Sequence, residues 1–338
     1  MDTASPDKST AGERAGQPRL AAWQSRAPGV VPQAIGFDVG GTAVKAGRIG
    51  GEGRVQAELE RPLPRRGGFG GLVALLAEMA AELGPAVRIG LGVPGLVDHE
   101  AGIVEVSPNI PFLDGQPLSA AVEERLGLEL GGVRIVNDAN AAALGEAWIG
   151  AGAGRRDMLF VTLGTGVGGG LVLGGKLWEG AGLAGEIGHV KVERDGELCG
   201  CGRRGCLETL ASATAASRRA KLSGLPAAAP GDLVLLAEAA RRAPGPERDL
   251  LDAVGRDLGF GLAAVLNLLD LRTYVFGGGF GRAFDTLESG IRDGLDEGSY
   301  GARLGVVELL PARLGPRAGW IGAARVALDA ARTKEEGT

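Results

Sequence analysis

Two stretches of this chain carry one pattern, once in each half. Residues 33–49 read QAIGFDVGGTAVKAGRI and residues 157–178 read DMLFVTLGTGVGGGLVLGGKLW: an apolar run, a tight turn of Gly and Thr, and a returning run that alternates or stays apolar. Each reads as a strand, a hairpin turn and a second strand. The repeat narrows the choice of folds more than any other feature. It suggests an internal duplication whose two turns can face one ligand across a cleft.

The segments between the hairpins supply the remaining layers. GFGGLVALLAEMAAEL is helical in period, with Leu72, Leu75, Leu76, Met79 and Leu83 on one face. VRIGLGVPGLVD is a buried strand ending in a Pro-Gly turn, PLSAAVEERLGL a short amphipathic helix, GGVRIVND a further strand and ANAAALGEAWIG the helix after it. In the second half, helical segments run through RDLLDAVGRDLGFGLAAVLNLLD to a strand RTYVFGGGF that ends in glycines. A helix, a strand LGVVELLP and a final helix from PRAGWIGAARVALDAA follow. This mixture predicts an α/β protein, and 338 residues are enough for two domains. Residues 1–32 have no period and are rich in Ala, Pro, Ser and charge, so they read as a disordered arm.

The net charge of −5 gives no electrostatic reason to expect nucleic acid or an anionic membrane as partner. No apolar run approaches a membrane span, and the first residues lack the apolar centre of a signal peptide. All three cysteines, Cys199, Cys201 and Cys206, fall in one Gly-rich loop, LCGCGRRGC. His189, one of two histidines, lies ten positions before the first of them. A disulfide would strand one thiol, whereas Cys₃His completes a tetrahedral zinc shell with no open position, so the ion is expected to be structural. Thiolates held for metal agree with a reducing cytoplasm.

Gly164–Gly169 matches the G-x-G-x-x-G fingerprint literally, with Glu186 near the position of its acidic partner, but that fingerprint needs a helix directly after the glycines. LVLGGKLW is strand-like, so a dinucleotide fold is rejected, and no G-K-[ST] loop is present either. What remains is a phosphate grip made of hairpin turns. Main-chain N–H groups at Gly40, Gly41, Gly164 and Gly166 can converge on phosphate oxygens, and Thr42 and Thr165 add hydroxyls. One such turn alone is an ordinary hairpin; two, with a third cluster at Gly277, Gly278 and Gly279, point to a nucleotide. Asp38, at the strand end beside the first turn, can hold Mg²⁺. Lys45 on the returning strand reads as a solvated surface lysine. In VNDAN, Asn137 and Asp138 join a strand to a helix start, where Asp138 is either an N-cap or a base that accepts the proton of a substrate hydroxyl.

With these residues in hand, the chain resembles the ROK family of bacterial sugar kinases and sugar-responsive repressors. DVGGT, GVPGLVD, SPNIPFLDGQPL, VNDANAAALGEAW, LGTGVGGGLVLGGKLWEGAGLAGEIGHV, CGCGRRGCLE and VFGGG occur in that family's order, from about Ile35 to the final helix. The resemblance implies an actin-like two-domain sugar-kinase fold of duplicated ribonuclease H-like halves with a structural zinc loop. Residues 33–147, completed by the C-terminal helix 316–332, would form the small domain. Residues 148–315 would form the large domain, carrying the zinc loop and a homodimer surface.

By matching position, Asp38, Gly40, Gly41, Thr42, Gly164, Thr165 and Gly166 would hold ATP phosphates and metal, and Gly277, Gly278 and Gly279 would line the adenosine. Asn109, Asn137, Asp138, Glu186, His189 and Glu208 would ring the sugar, with Asp138 as base. Phosphorylation at the 6-hydroxyl of a hexose, glucose first, is the expected reaction. N-acetylmannosamine, N-acetylglucosamine, mannose and fructose are the alternative substrates, and the cysteine loop favours ATP over polyphosphate. Some members of the family carry a DNA-binding helix-turn-helix before this fold; about 32 unpatterned residues before Ile35 leave too little for one, which disfavours a repressor. Asp138 likewise disfavours a sugar sensor without catalysis.

Overall fold

The apolar run before the first Gly-Thr turn forms β1 (Gln33–Val39), which pairs antiparallel with β2 (Ala43–Gly50), itself paired with β3 (Val55–Pro62). The computed structural model describes residues 33–85, 88–225, 233–300 and 307–336, so the expected arm over residues 1–32 lies outside the described residues. β3 escapes the sequence reading because QAELERP alternates charged and small residues on an exposed sheet edge, where no apolar run is needed.

Helix α1 (Gly68–Leu83) spans the residues its period predicts, burying Leu72, Leu76, Met79 and Leu83. β4 (Ile89–Val93) then runs parallel to β1, β5 (Leu96–Asp98) and β6 (Ile103–Val106) make a small separate hairpin, and α2 (Leu118–Leu126) leads to β7 (Val133–Asn137), parallel to β4. The first sheet has the order β3-β2-β1-β4-β7. Helix α3 (Asp138–Ile149) leaves β7 without a loop.

The second half repeats this plan. β8 (Met158–Leu163), β9 (Val167–Leu173) and β10 (Lys176–Trp178) form an antiparallel meander, and β11 (Thr273–Gly277) and β12 (Glu308–Pro311) add parallel strands on the other side of β8. The order β10-β9-β8-β11-β12 is that of the first sheet, strand for strand, and so are the parallel and antiparallel senses. The duplication suggested by the hairpins therefore extends over five strands in each half. Helices α4 (Glu208–Ala211), α5 (Ala213–Leu222), α6 (Val234–Arg242) and α7 (Pro246–Leu269) lie between β10 and β11. Helix α8 (Gly278–Gly281) and α9 (Phe284–Gly298) lie between β11 and β12. Leu251, Leu258 and Leu262 of α7 share the larger core with Leu287, Ile291 and Leu295 of α9 and Tyr274 and Phe276 of β11.

The last helix, α10 (Ala318–Glu336), returns to the first half. Trp320, Ile321, Ala324 and Leu328 pack with Ala34 of β1 and Ile49 of β2. The helix backbone lies so near the sheet that a Cβ on Gly36 would run into the Trp320 carbonyl oxygen, and one on Gly90 into that of Ala323. The first sheet is thus covered by α1 and α2 on one face and by the chain's final helix on the other.

Candidate active site

Asp38 stands near the C-terminal end of β1, and Asp138 begins α3 directly after β7. Both strands run parallel to β4, so the two carboxylates emerge at the same end of the first sheet, where open α/β sheets place their ligands. They line a cleft of about 540 Å³, within the usual range for small-molecule sites. Across the cleft, Thr162 and Phe276 come from the second sheet, and Gly277, Gly278 and Gly279 form the turn into α8. Gly278 has φ +84°, and a side chain there would strike the Leu163 carbonyl, so glycine is required to keep this wall low.

Burial raises the pKa of Asp38, while the Lys45 ammonium opposes the rise. Lys45 is the cross-strand partner of Asp38 in the β1–β2 ladder and lines the cleft, which corrects its reading as a solvated surface lysine. Its place in the cleft depends on hairpin register rather than on any local motif. For Asp138, burial is again the largest cause and the charge of Asp38 the next, and together they lift the carboxyl from 3.8 to about 6 despite N–H donation from Ala139.

The capping alternative for Asp138 falls to its neighbour. Asn137 is the N-cap: its Oδ1 accepts from the N–H groups of Ala139 (2.9 Å) and Asn140 (3.1 Å). Its Nδ2 donates to the Gly95 carbonyl at 3.0 Å, which fixes the turn after β4 and leaves Asn137 one amide hydrogen for a ligand. Relieved of capping, the Asp138 carboxylate faces the cleft.

The two Gly-Thr turns are tight, closed by Gly40 N–H to the Ala43 carbonyl (2.9 Å) and Gly164 N–H to that of Gly166 (2.9 Å), which corrects the expectation that these two N–H groups face phosphate oxygens: each closes its own turn. Gly40, Gly41, Thr42, Gly164, Thr165 and Gly166 do not line the cleft itself; Thr42 and Thr165 are exposed. Asn109 lies against Gly41, and Glu208 against Gly166. Glu186 adds to the negative field on Asp138, and its Oε2 is 4.0 Å from Nε2 of His189.

His189 turns its other nitrogen to the cysteines. Nδ1 is 3.7 Å from the Cys199 sulfur, the Cys201 and Cys206 sulfurs are 3.7 Å apart, and the ligand atoms of all four residues lie within 4.8 Å of one another. A tetrahedron with Zn–S bonds of about 2.3 Å has edges of about 3.8 Å, so the donor set fits zinc in type, number and spacing. Burial raises the thiol pKa of Cys199 and Cys206, whereas the Arg203 N–H lowers that of exposed Cys201. Glu208 Oε1 accepts from the Cys199 thiol at 2.8 Å, so the loop is joined to the carboxylate that lies against the second Gly-Thr turn.

One buried group was not foreseen. Glu146 lies on α3, is fully buried, lines the cleft, and accepts hydrogen bonds from residues more than 160 positions away. In sequence it is an unremarked glutamate within a helix.

Known proteins resemble this chain in sequence and in overall fold. The profile described as "ROK family" matches residues 34–330. The glucokinase of Thermotoga maritima is 35% identical over 309 residues, covering 86% of this chain and 96% of that protein. The ROK hexokinase from Thermus thermophilus superposes with a TM-score of 0.76 at 33% identity, covering 89% of this chain and 99% of its own. The ROK family glucokinase from Streptomyces griseus, solved in complex with glucose and AMPPNP, gives 0.73 at 35% identity, with coverage of 88% and 99%.

Proposed function

The chain belongs to the ROK family, and from that premise we propose that it is an ATP-dependent hexokinase that phosphorylates glucose on its 6-hydroxyl. The observation that carries the reading is the Asp38–Asp138 pair at the head of the cleft, opposite the Gly277–Gly279 turn, in a chain matched over 86% of its length by a glucokinase. Asp138 accepts the proton of the attacking hydroxyl while orienting its oxygen. A carboxylate is a sufficient base because the transition state of phosphoryl transfer is loose. Lys45 offsets part of the rise that burial imposes on the Asp38 carboxyl, and so favours its charged form at the phosphate end of the cleft. Asp38 would hold Mg²⁺, usually through water, and that ion would neutralise phosphate charge.

Gly40, Gly41, Thr42, Gly164, Thr165 and Gly166 then approach the phosphates from the rim, and Gly277, Gly278 and Gly279 lie under the adenosine. The sugar is held by Asn109, Asn137, Glu186, His189 and Glu208. His189, Cys199, Cys201 and Cys206 bind a structural zinc ion. With Nδ1 engaged there, Nε2 of His189 is fixed as a hydrogen-bond donor beside Glu186, ready for a hydroxyl. The family resemblance supports a cytoplasmic homodimer divided near residue 147 into small and large lobes.

The test is ATP-dependent phosphorylation by the purified chain across glucose, mannose, fructose, N-acetylglucosamine and N-acetylmannosamine. Glucose is expected to give the highest kcat/KM. Preference for an N-acetyl sugar would overturn the substrate, and no turnover of any sugar would overturn the enzyme.

A further inference from the structure

The two sheets are joined by two passages of the chain. The first runs from α3 to β8 through residues 150–157; the second runs from β12 to α10 through residues 312–317. Both meet at Glu146. Its Oε2 accepts from the N–H of Ala151 in the first passage at 2.7 Å. In the second passage, Arg313 N–H donates to Oε1 and Oε2 at 3.0 and 3.1 Å, and Leu314 N–H donates to Oε1 at 2.7 Å. Glycine at 150 makes room, since a Cβ there would collide with the carboxylate.

A fully buried carboxylate at the C-terminal end of a helix opposes the helix dipole and loses its hydration, so it persists only where donors replace the water. Here they are main-chain N–H groups from the two connections between the halves. Glu146 and neighbours of its donors in the second passage bound the cleft: Ala142 and Glu146 from α3, and Ala312, Gly315 and Pro316 from the second passage, line it together with Gly277–Gly279. Glu146 therefore ties the helix that begins with Asp138 to the wall at the Gly-rich end.

We propose that Glu146 is a positioning residue, the pin that joins both passages and so sets the nucleotide wall relative to Asp138. This inference rests on the cleft being the nucleotide site of a sugar kinase. Glu146 touches neither the sugar set nor the zinc loop, so its effect falls on the nucleotide.

The experiment uses the full chain with Glu146→Gln, whose amide presents an N–H₂ where an oxygen now accepts, and with Leu314→Pro, which leaves the glutamate, deletes one donor and trims an apolar side chain packed against the Trp320 cluster, with Leu314→Ala as the control for that packing. Leu314 has φ −82°, which proline tolerates. Direct titration with AMPPNP and with glucose, and steady-state kinetics, are read for each. Both variants are expected to weaken AMPPNP binding and raise KM for ATP by about tenfold, the loss typical of one charged hydrogen bond, with glucose affinity unchanged. Unchanged AMPPNP affinity and ATP KM in a folded Glu146→Gln protein would overturn the proposal, as would equal loss for sugar and nucleotide in both variants. Should Glu146→Gln fail to fold, Leu314→Pro decides by the same criteria. A wild-type protein that binds AMPPNP but phosphorylates no hexose would sink the functional reading while leaving the pin testable by titration.

Discussion

Replacing Asp138 by Asn should cut turnover severely and stabilise the fold, and the structure gives a size to the second effect. Removing a general base of this kind lowers kcat by roughly 10²- to 10⁴-fold. The stability effect follows from the carboxyl's shift from 3.8 to about 6, caused first by burial and next by the charge of Asp38. At about 1.36 kcal/mol per pH unit, that interval corresponds to roughly 3 kcal/mol of penalty for the ionised form, an upper bound that a bound cation would reduce. Because the folded pKa lies above the unfolded one, the penalty is absent below about pH 3.8 and complete above about pH 6. Asparagine does not ionise, so the variant should melt higher than the wild type by roughly 5 °C at about pH 7.5, and the gap should close by about pH 4. In the wild type, kcat/KM should be level above about pH 6 and fall about tenfold per unit below it, since the ionised carboxylate is the active form. Calorimetry at the two pH values and a pH–rate profile measure both. A variant that melts with the wild type at neutral pH and keeps more than a tenth of its kcat would refute the argument.

The zinc reading predicts about one zinc per chain by elemental analysis, and Cys201→Ala should lose metal, stability and activity together; a metal-free chain with full activity would exclude it. Gly278→Ala should destabilise the protein by about 2 kcal/mol or more and raise KM for ATP, because it combines a left-handed backbone with a clash on Leu163; denaturant melts and nucleotide kinetics check this. Arg155→Ala, which breaks a half-exposed ion pair with Glu308, should move stability by less than about 1 kcal/mol, as double-mutant cycles find for such pairs.

How far the sequence could be read depended on how far each signal reached along the chain. The four residues that could hold a metal fall between His189 and Cys206, a span short enough for composition alone to single them out. Helix α1 was bounded correctly because its apolar stripe faces one core. β3 was missed because its residues answer to a solvent edge. The Asp38–Lys45 pairing needed a register, and the partition of VND between Asn137 as cap and Asp138 as cleft-facing carboxylate needed the backbone of α3. Glu146 was out of reach because its partners at 313 and 314 come from the far end of the chain, and backbone donors leave no mark in side-chain identity.

The position of α10 has a consequence for how the protein is made. The apolar face that β1 and β2 present to Trp320, Ile321 and Leu328 is synthesised first and covered last, after nearly every other element has left the ribosome. The N-terminal half cannot complete its fold during translation in the order in which it emerges. Its first sheet keeps one apolar face uncovered until α10 has been made and can dock.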